Sequence, residues 1–176
     1  NMSTPPDSNT TYSMIHRIGK SKDWVFDWFD VSLKTERLPN ALADKAVVIC
    51  KEDNGGAASK GGTFSNGMIS ARTRDFGTFY VKIDTTPPGI QALNVAPGKN
   101  MRVYKKLLFK IWDNLSGISD FDTYIDGEWT VTQYDQKSAM LTHHLDLSMP
   151  TGEHTFKVVV TDEHKNRKEF SIKFMM

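Results

Sequence analysis

Cysteine is almost missing from this chain: Cys50 is the only one in 176 residues. A lone cysteine excludes an internal disulfide and a zinc site built on paired cysteines. It closes the run Ala46-Val47-Val48-Ile49-Cys50, where a small thiol is expected to be buried and inert. The want of disulfides does not exclude export, because many exported bacterial domains fold without them. Long apolar runs are missing too. None approaches the ~20 residues that span a bilayer, so this stretch of chain holds no transmembrane segment. Charge of one sign is not in excess: 22 basic and 21 acidic residues leave a net +1. A nucleic-acid partner is therefore not expected, since the basic footprint of such binders is lacking. The chain opens Asn1-Met2-Ser3 without a basic, apolar signal segment. It reads as a mature or trimmed piece of a longer protein.

Helical periodicity is scarce as well. The best candidate is Pro39 to Lys45, about two turns with the proline near the first helical position. What is present is alternation of period two, the mark of half-buried strands. In the first half it predicts strands over 12–18, 25–35, 46–51, 62–64, 68–73 and 78–83. Asn66-Gly67 lies between two of these, and that pair favours the positive φ angles of a type I′ hairpin. The glycine-rich stretch from Asn54 to Gly62 lacks the Gly-Lys-Ser/Thr ending of a phosphate-binding loop, so a mobile connection is expected there. In the second half the strands fit 90–95, 106–112, 121–125, 128–134, 139–145, 154–161 and 169–174. Asp126-Gly127 and Pro150-Thr151-Gly152 supply turns. Leu107, Phe109 and Ile111 share one strand face. So do Phe156, Val158 and Val160, and likewise Phe170, Ile172 and Phe174. These are the expected core of the second half.

Between the halves stands Asp84-Thr85-Thr86-Pro87-Pro88. Each proline lacks an amide hydrogen and fixes its own φ, and Thr86 is pushed toward extended geometry. The segment is a stiff connector that cannot enter a ladder. The expectation is an all-β protein of two tandem small sandwiches, residues 1–85 and 86–176. The strand count and spacing of the second fit an immunoglobulin-like domain. Thr4-Pro5-Pro6 echoes the connector, as if a further module preceded it.

Residues able to carry chemistry do not converge. His143 and His144 are adjacent, so a strand points them to opposite faces, and His154 is expected on another strand. With His16 and His164 elsewhere and no His-Glu-x-x-His, no metal site is expected. Asp113, Asn114, Asp120, Asp122, Asp162, Glu163 and Asn166 sit at turns, and their spacing matches no calcium loop. Bonding nearby backbone amides is the simpler use of them. No Gly-x-Ser-x-Gly elbow exists and Cys50 lacks an evident base, so no catalytic residue and no cofactor are assigned. Aromatics are the remaining candidates. Trp24, Phe26, Trp28 and Phe29 cluster near one strand, while Trp112, Tyr124, Trp129 and Tyr134 recur in the second half. Bulky aromatics are mostly well buried, in a sandwich core or between domains. Trp112, however, shares parity with Lys106 and Lys110, opposite the core face. Trp112, Trp129 and Tyr134 are the candidate contacts for a glycan or a protein partner.

One set of residues carries a family resemblance. Phe109-Lys110-Ile111-Trp112-Asp113-Asn114-Leu115-Ser116-Gly117-Ile118 is followed by Tyr124-Ile125-Asp126-Gly127-Glu128-Trp129 and Tyr134-Asp135, and the closing strand runs from Gly152 to Asp162. In the first half Leu38-Pro39, Gly61-Gly62-Thr63-Phe64 and Phe76-Gly77-Thr78-Phe79 join the pattern. Together they resemble the carboxy-terminal β-domains of exported lysostaphin-like zinc peptidase proteins from Bacteroides-type bacteria. The His-x-His pair of that peptidase domain is not present here, so no catalytic role carries over. The resemblance implies a periplasmic or cell-surface location. It also implies a non-catalytic accessory module whose partner is an upstream peptidase domain, an envelope protein or a cell-wall or surface glycan. Adhesion or glycan binding through exposed aromatics is the alternative.

Overall fold

The computed structural model describes residues 11–23 and 25–176, together with the backbone of Ser3 and Thr4. The chain divides into two compact units, Asn1–Thr85 and Thr86–Met176. Nearly every element is a strand.

In the first unit the strands are β1 (Ser3–Thr4), β2 (Ile15–Ile18), β3 (Phe29–Lys34), β4 (Ala46–Lys51), β5 (Ala57–Ser59), β6 (Thr63–Ser65), β7 (Met68–Thr73) and β8 (Gly77–Ile83). They form a five-stranded sheet in the order β1-β2-β8-β4-β5 and a three-stranded sheet in the order β3-β7-β6. Alternate residues of β3, β7 and β8 face inward, as period two demands. Val31, Leu33, Ile69, Ala71, Phe79 and Val81 thus meet Ala46, Val48 and Cys50 of β4 in one core. Asn66 and Gly67 take φ of 50° and 74°, and the type I′ turn between β6 and β7 follows.

Two local expectations need correction. Asn40–Lys45 is a 3-10 helix with no buried residue and no side-chain cap, and Pro39 is its cap residue. Lacking an apolar face, it has no packing to hold the two α-helical turns expected of it. The glycine-rich stretch is not merely a connection either. Its centre is β5, paired antiparallel with Ile49, Cys50 and Lys51.

The second unit holds β9 (Gly89–Ala92), β10 (Lys99–Asn100), β11 (Lys106–Trp112), β12 (Ile118–Ile125), β13 (Glu128–Trp129), β14 (Gln133–Asp135), β15 (Met140–His144), β16 (Glu153–Asp162) and β17 (Arg167–Met175). One sheet has the order β14-β15-β11-β9 and the other β10-β17-β16-β12-β13. This is the immunoglobulin arrangement of two facing antiparallel sheets. The short β10 runs parallel to β17. Of the expected core, Leu107, Phe109, Ile111, Phe156, Val158, Val160, Ile172 and Phe174 are buried, and Phe170 packs against them half-buried. Phe109 and Phe156 stack with ring centres 5.0 Å apart. The strand expected over 128–134 is instead two: β13 pairs with β12 in one sheet and β14 pairs with β15 in the other. No strand covers Asp84–Pro88.

Candidate functional site

The aromatic candidates do not form one platform. Trp112 lies on the outward face of β11 and is 42% exposed. Its ring rests on the backbone of Gly89 in β9, where a Cβ would stand 2.3 Å from two ring carbons. Tyr134 pairs with Leu141, which pairs in turn with Phe109. It therefore shares the core face, opposite Trp112, and turns its ring edge-on to Phe121 at 5.4 Å. Burial, then the charge of Asp135, pushes its phenol pKa up. Trp129 belongs to the other sheet, is 62% exposed, and donates its Nε1–H to Asp122 at 3.2 Å. Beside it a hollow of about 210 Å³ is lined by Phe121, Thr123, Val131 and Thr132. Both tryptophans are thus exposed, against the general expectation of burial. Phe26 and Trp28 are exposed too, because β3 begins only at Phe29 and leaves them in the preceding loop. Trp24, Pro5 and Pro6 lie outside the described residues.

His143, His154, Asp113 and Asp162 are held in structural hydrogen bonds. His143 is buried, and its Nδ1–H donates to the Val131 carbonyl at 2.9 Å. Burial holds its pKa below the ordinary value, with the charge of His144 adding to the effect. His154 donates from Nδ1 to Asp126 at 2.6 Å and from Nε2 to the Pro150 carbonyl at 2.9 Å. Its pKa is raised, first by the Asp126 hydrogen bond and then by the Pro150 carbonyl. With both nitrogens occupied, it has none to offer a metal. Asp113 accepts the backbone N–H groups of Leu115, Ser116 and Gly117 on one oxygen. Asp162 accepts those of His164 and Asn166, and the Asn166 side chain on its other oxygen. Oxygens of Asp113 and Asp162 come within 4.8 Å of each other. Cys50 is 1% exposed and burial pushes its thiol up to about 11, so it stays protonated near neutrality.

A different surface gathers polar groups in the first unit. Strand β8 is flanked by β2 and β4, and its register places Arg17 and Lys51 on either side of Thr78. One step along, Ile49 lies beside Tyr80, and Val47 lies beside Lys82. These residues share the face of the five-stranded sheet opposite the core. The turn after β4 completes the rim. Asp53 accepts Arg17 Nη2–H at 2.8 Å and the Ser21 N–H at 3.2 Å, while its own N–H donates to Ser21 Oγ. The result is an open cavity of about 530 Å³, floored by Thr78 and Tyr80 and edged by Arg17, Lys51, Asp53 and Lys82. Such a volume is in the range of small-molecule sites. Sequence reasoning missed it, although the polar alternation Thr78, Tyr80, Lys82 marked the outward face of β8.

Residues 1–84 match the family model of the Zu5-like domain. No sequence among the curated proteins matches the chain. Among solved structures, the fibronectin(III)-like modules of Clostridium thermocellum CbhA align over 99% of this chain and 94% of theirs, at 12% identity and a TM-score of 0.39. Dimeric latent PorU from Porphyromonas gingivalis aligns over 95% of this chain at 12% identity and a TM-score of 0.41, and this chain corresponds to 24% of its length. The family match thus falls on the first of the two units, Asn1–Thr85.

Proposed function

We propose that this chain is a non-catalytic accessory module of a surface or secreted protein. In the finer form of this reading, it belongs to an exported, cell-envelope-associated peptidase and positions that enzyme through protein contacts. The observation that supports it most directly is the state of the reactive groups. Cys50 is buried and protonated, His143 and His154 are bonded to structural partners, and the turn aspartates hold backbone amides. Catalysis needs a nucleophile or base free to meet substrate, and these groups are engaged elsewhere. Two sandwiches separated by Thr85–Pro88 instead offer rigid faces for contact. The test is an assay of the purified chain on peptidoglycan. No release of soluble fragments above buffer is expected. Release that disappears on a single substitution would overturn the reading.

A second reading, adhesion or glycan binding through the second unit, is favoured by the exposure of Trp112 and Trp129. It predicts glycan-array signals that weaken in Trp112→Ala or Trp129→Ala. Signals indifferent to both substitutions would remove it.

A further inference from the structure

We propose that the outer face of the β2-β8-β4 sheet in the first unit binds an acidic saccharide, a sugar chain bearing carboxylates. The site is the cavity of about 530 Å³ over Thr78 and Tyr80. It is distinct from the Trp112 and Trp129 surfaces, which belong to the other unit.

Charge sets the first requirement on the ligand. Arg17 is neutralised by Asp53 at 2.8 Å. Among the described residues Lys51 and Lys82 have no ion-pair partner, and the Lys82 ammonium lies 5.9 Å from the centre of the Tyr80 ring. Glu52 takes part of its hydrogen bonding from the Asn54 amide at 2.9 Å. Among the described residues the cavity lining thus carries Arg17, Lys51 and Lys82 against Glu52 and Asp53, with neither lysine in an ion pair, a layout suited to an anionic ligand.

The floor sets the second requirement. Tyr80 is half-buried beside the buried Ile49 of β4, and with Lys82 Nζ 5.9 Å from its ring centre it offers an apolar body with a polar tip. Burial, then the nearby Cys50, holds its phenol pKa up, so the hydroxyl remains a donor at neutral pH. Thr78 adds a hydroxyl at the centre. Thr11 Oγ1, also at the cavity, is shielded from solvent and has no hydrogen-bond partner among the described residues. A ring face surrounded by hydroxyls matches a sugar, which presents C–H groups on one side and hydroxyls at its edge.

The sheet itself argues against a peptide. Extended peptides dock by adding a strand to a free edge. Here β8 is paired on both sides, β2 is covered by β1, and β4 by β5. No free strand edge lies under Thr78 and Tyr80, and β2 leaves only Arg17 and Ile18 beyond its pairing with β1. Recognition must therefore come from side chains alone.

The test uses the whole chain and trigalacturonic acid as probe, by isothermal titration at low salt. Saturable binding is expected, weakened about tenfold by Tyr80→Ala and severalfold by Lys51→Gln or Lys82→Gln, and weakened by added sodium chloride as partly exposed charges are screened. Trp112→Ala and Trp129→Ala should leave it unchanged. These outward substitutions spare the core, and an unchanged urea midpoint verifies that each variant is folded. The proposal is overturned by no binding, or by equal binding of a neutral trisaccharide. It is likewise overturned by an oligoglutamate peptide that binds as well and ignores Tyr80→Ala, or by binding lost with Trp129→Ala and kept with Tyr80→Ala.

Discussion

His154 keeps both ring nitrogens in hydrogen bonds, and that arrangement makes stability depend on pH in a definite direction. Its pKa is raised from the ordinary 6.5 by Asp126 and by the Pro150 carbonyl. A raised histidine stabilises fully below its unfolded value and loses that contribution as pH climbs through the folded one. Asp126 behaves oppositely. Burial alone would raise its carboxyl, but the Thr155 N–H and His154 outweigh that and lower it from 3.8. Its contribution is present above 3.8 and is lost as pH falls through the depressed value. His143, whose pKa is lowered, costs stability only as pH falls below 6.5, so its loss lies outside the window in which His154 acts. The urea midpoint of the second unit should therefore decline from pH 6.5 to 8.5, and Asp126→Asn should flatten that decline. An equally steep decline in the variant would refute the assignment. Cys50 yields a second prediction at this scale. A thiol with a pKa of about 11 and almost no exposure reacts only when the fold opens. Iodoacetamide at pH 8 should leave the native chain unlabelled for hours and label it within minutes in 6 M urea. Rapid native labelling would contradict this.

Among the elements, the strands that carry a full inward row were legible in the sequence. The ranges 46–51, 68–73 and 106–112 coincide with β4, β7 and β11, because β7 and β11 bury one face and alternate, while β4 is buried on both faces and reads as an unbroken apolar run. Elements without such a row were not. Strand β5 is Ala57-Ala58-Ser59, mostly exposed and made of small residues, so hydrophobicity leaves no period to read. Strands β13 and β14 lie in different sheets, yet Glu128 to Thr132 alternates without a break, since a chain can change sheets without changing its polarity pattern. Trp129 is exposed because edge strand β13 pairs it with Tyr124, on the face of β12 opposite the core-packed Phe121 and Ile125. Gly77, at the start of β8, shows how closely neighbouring strands approach. A Cβ there would stand 2.6 Å from the Lys51 carbonyl oxygen and 2.9 Å from Cys50 Sγ. Backbone cannot yield as a flexible side chain can, so Gly77→Ala should destabilise by roughly 2–4 kcal/mol, in the range of overpacked or strained core changes. Gly98→Ala, with nothing within 4 Å but a φ of 71°, should cost only about 1–2 kcal/mol. Chemical denaturation of both variants measures the difference, and equal losses would show that the contact with β4 is not what sets the cost.

At the scale of the whole molecule, the sequence could announce two β-rich halves but not the acidic-ligand cavity. Arg17, Lys51 and Tyr80 are far apart in the chain and become neighbours only through the register of β2, β8 and β4. Register is a tertiary property, and no local spacing encodes it. The cores, by contrast, are local to each unit. The apolar residues of the second sandwich all fall between Val95 and Met176, with Ile90 and Ala92 packed against them. A unit that holds its own core and both of its sheets has what a domain of about 90 residues needs to fold alone. Residues 86–176 expressed by themselves should therefore give a dispersed amide spectrum and a cooperative urea transition. Within that piece, Phe109 packs against Phe156 and Phe170 at 5.0 and 6.2 Å and has no exposure. Phe109→Ala should then cost about 3–5 kcal/mol, enough to unfold a marginal domain outright. Phe109→Leu, which leaves a smaller cavity, keeps the measurement possible and should cost less. A collapsed, non-cooperative spectrum from the unsubstituted piece would mean that the second sandwich depends on residues before Thr86.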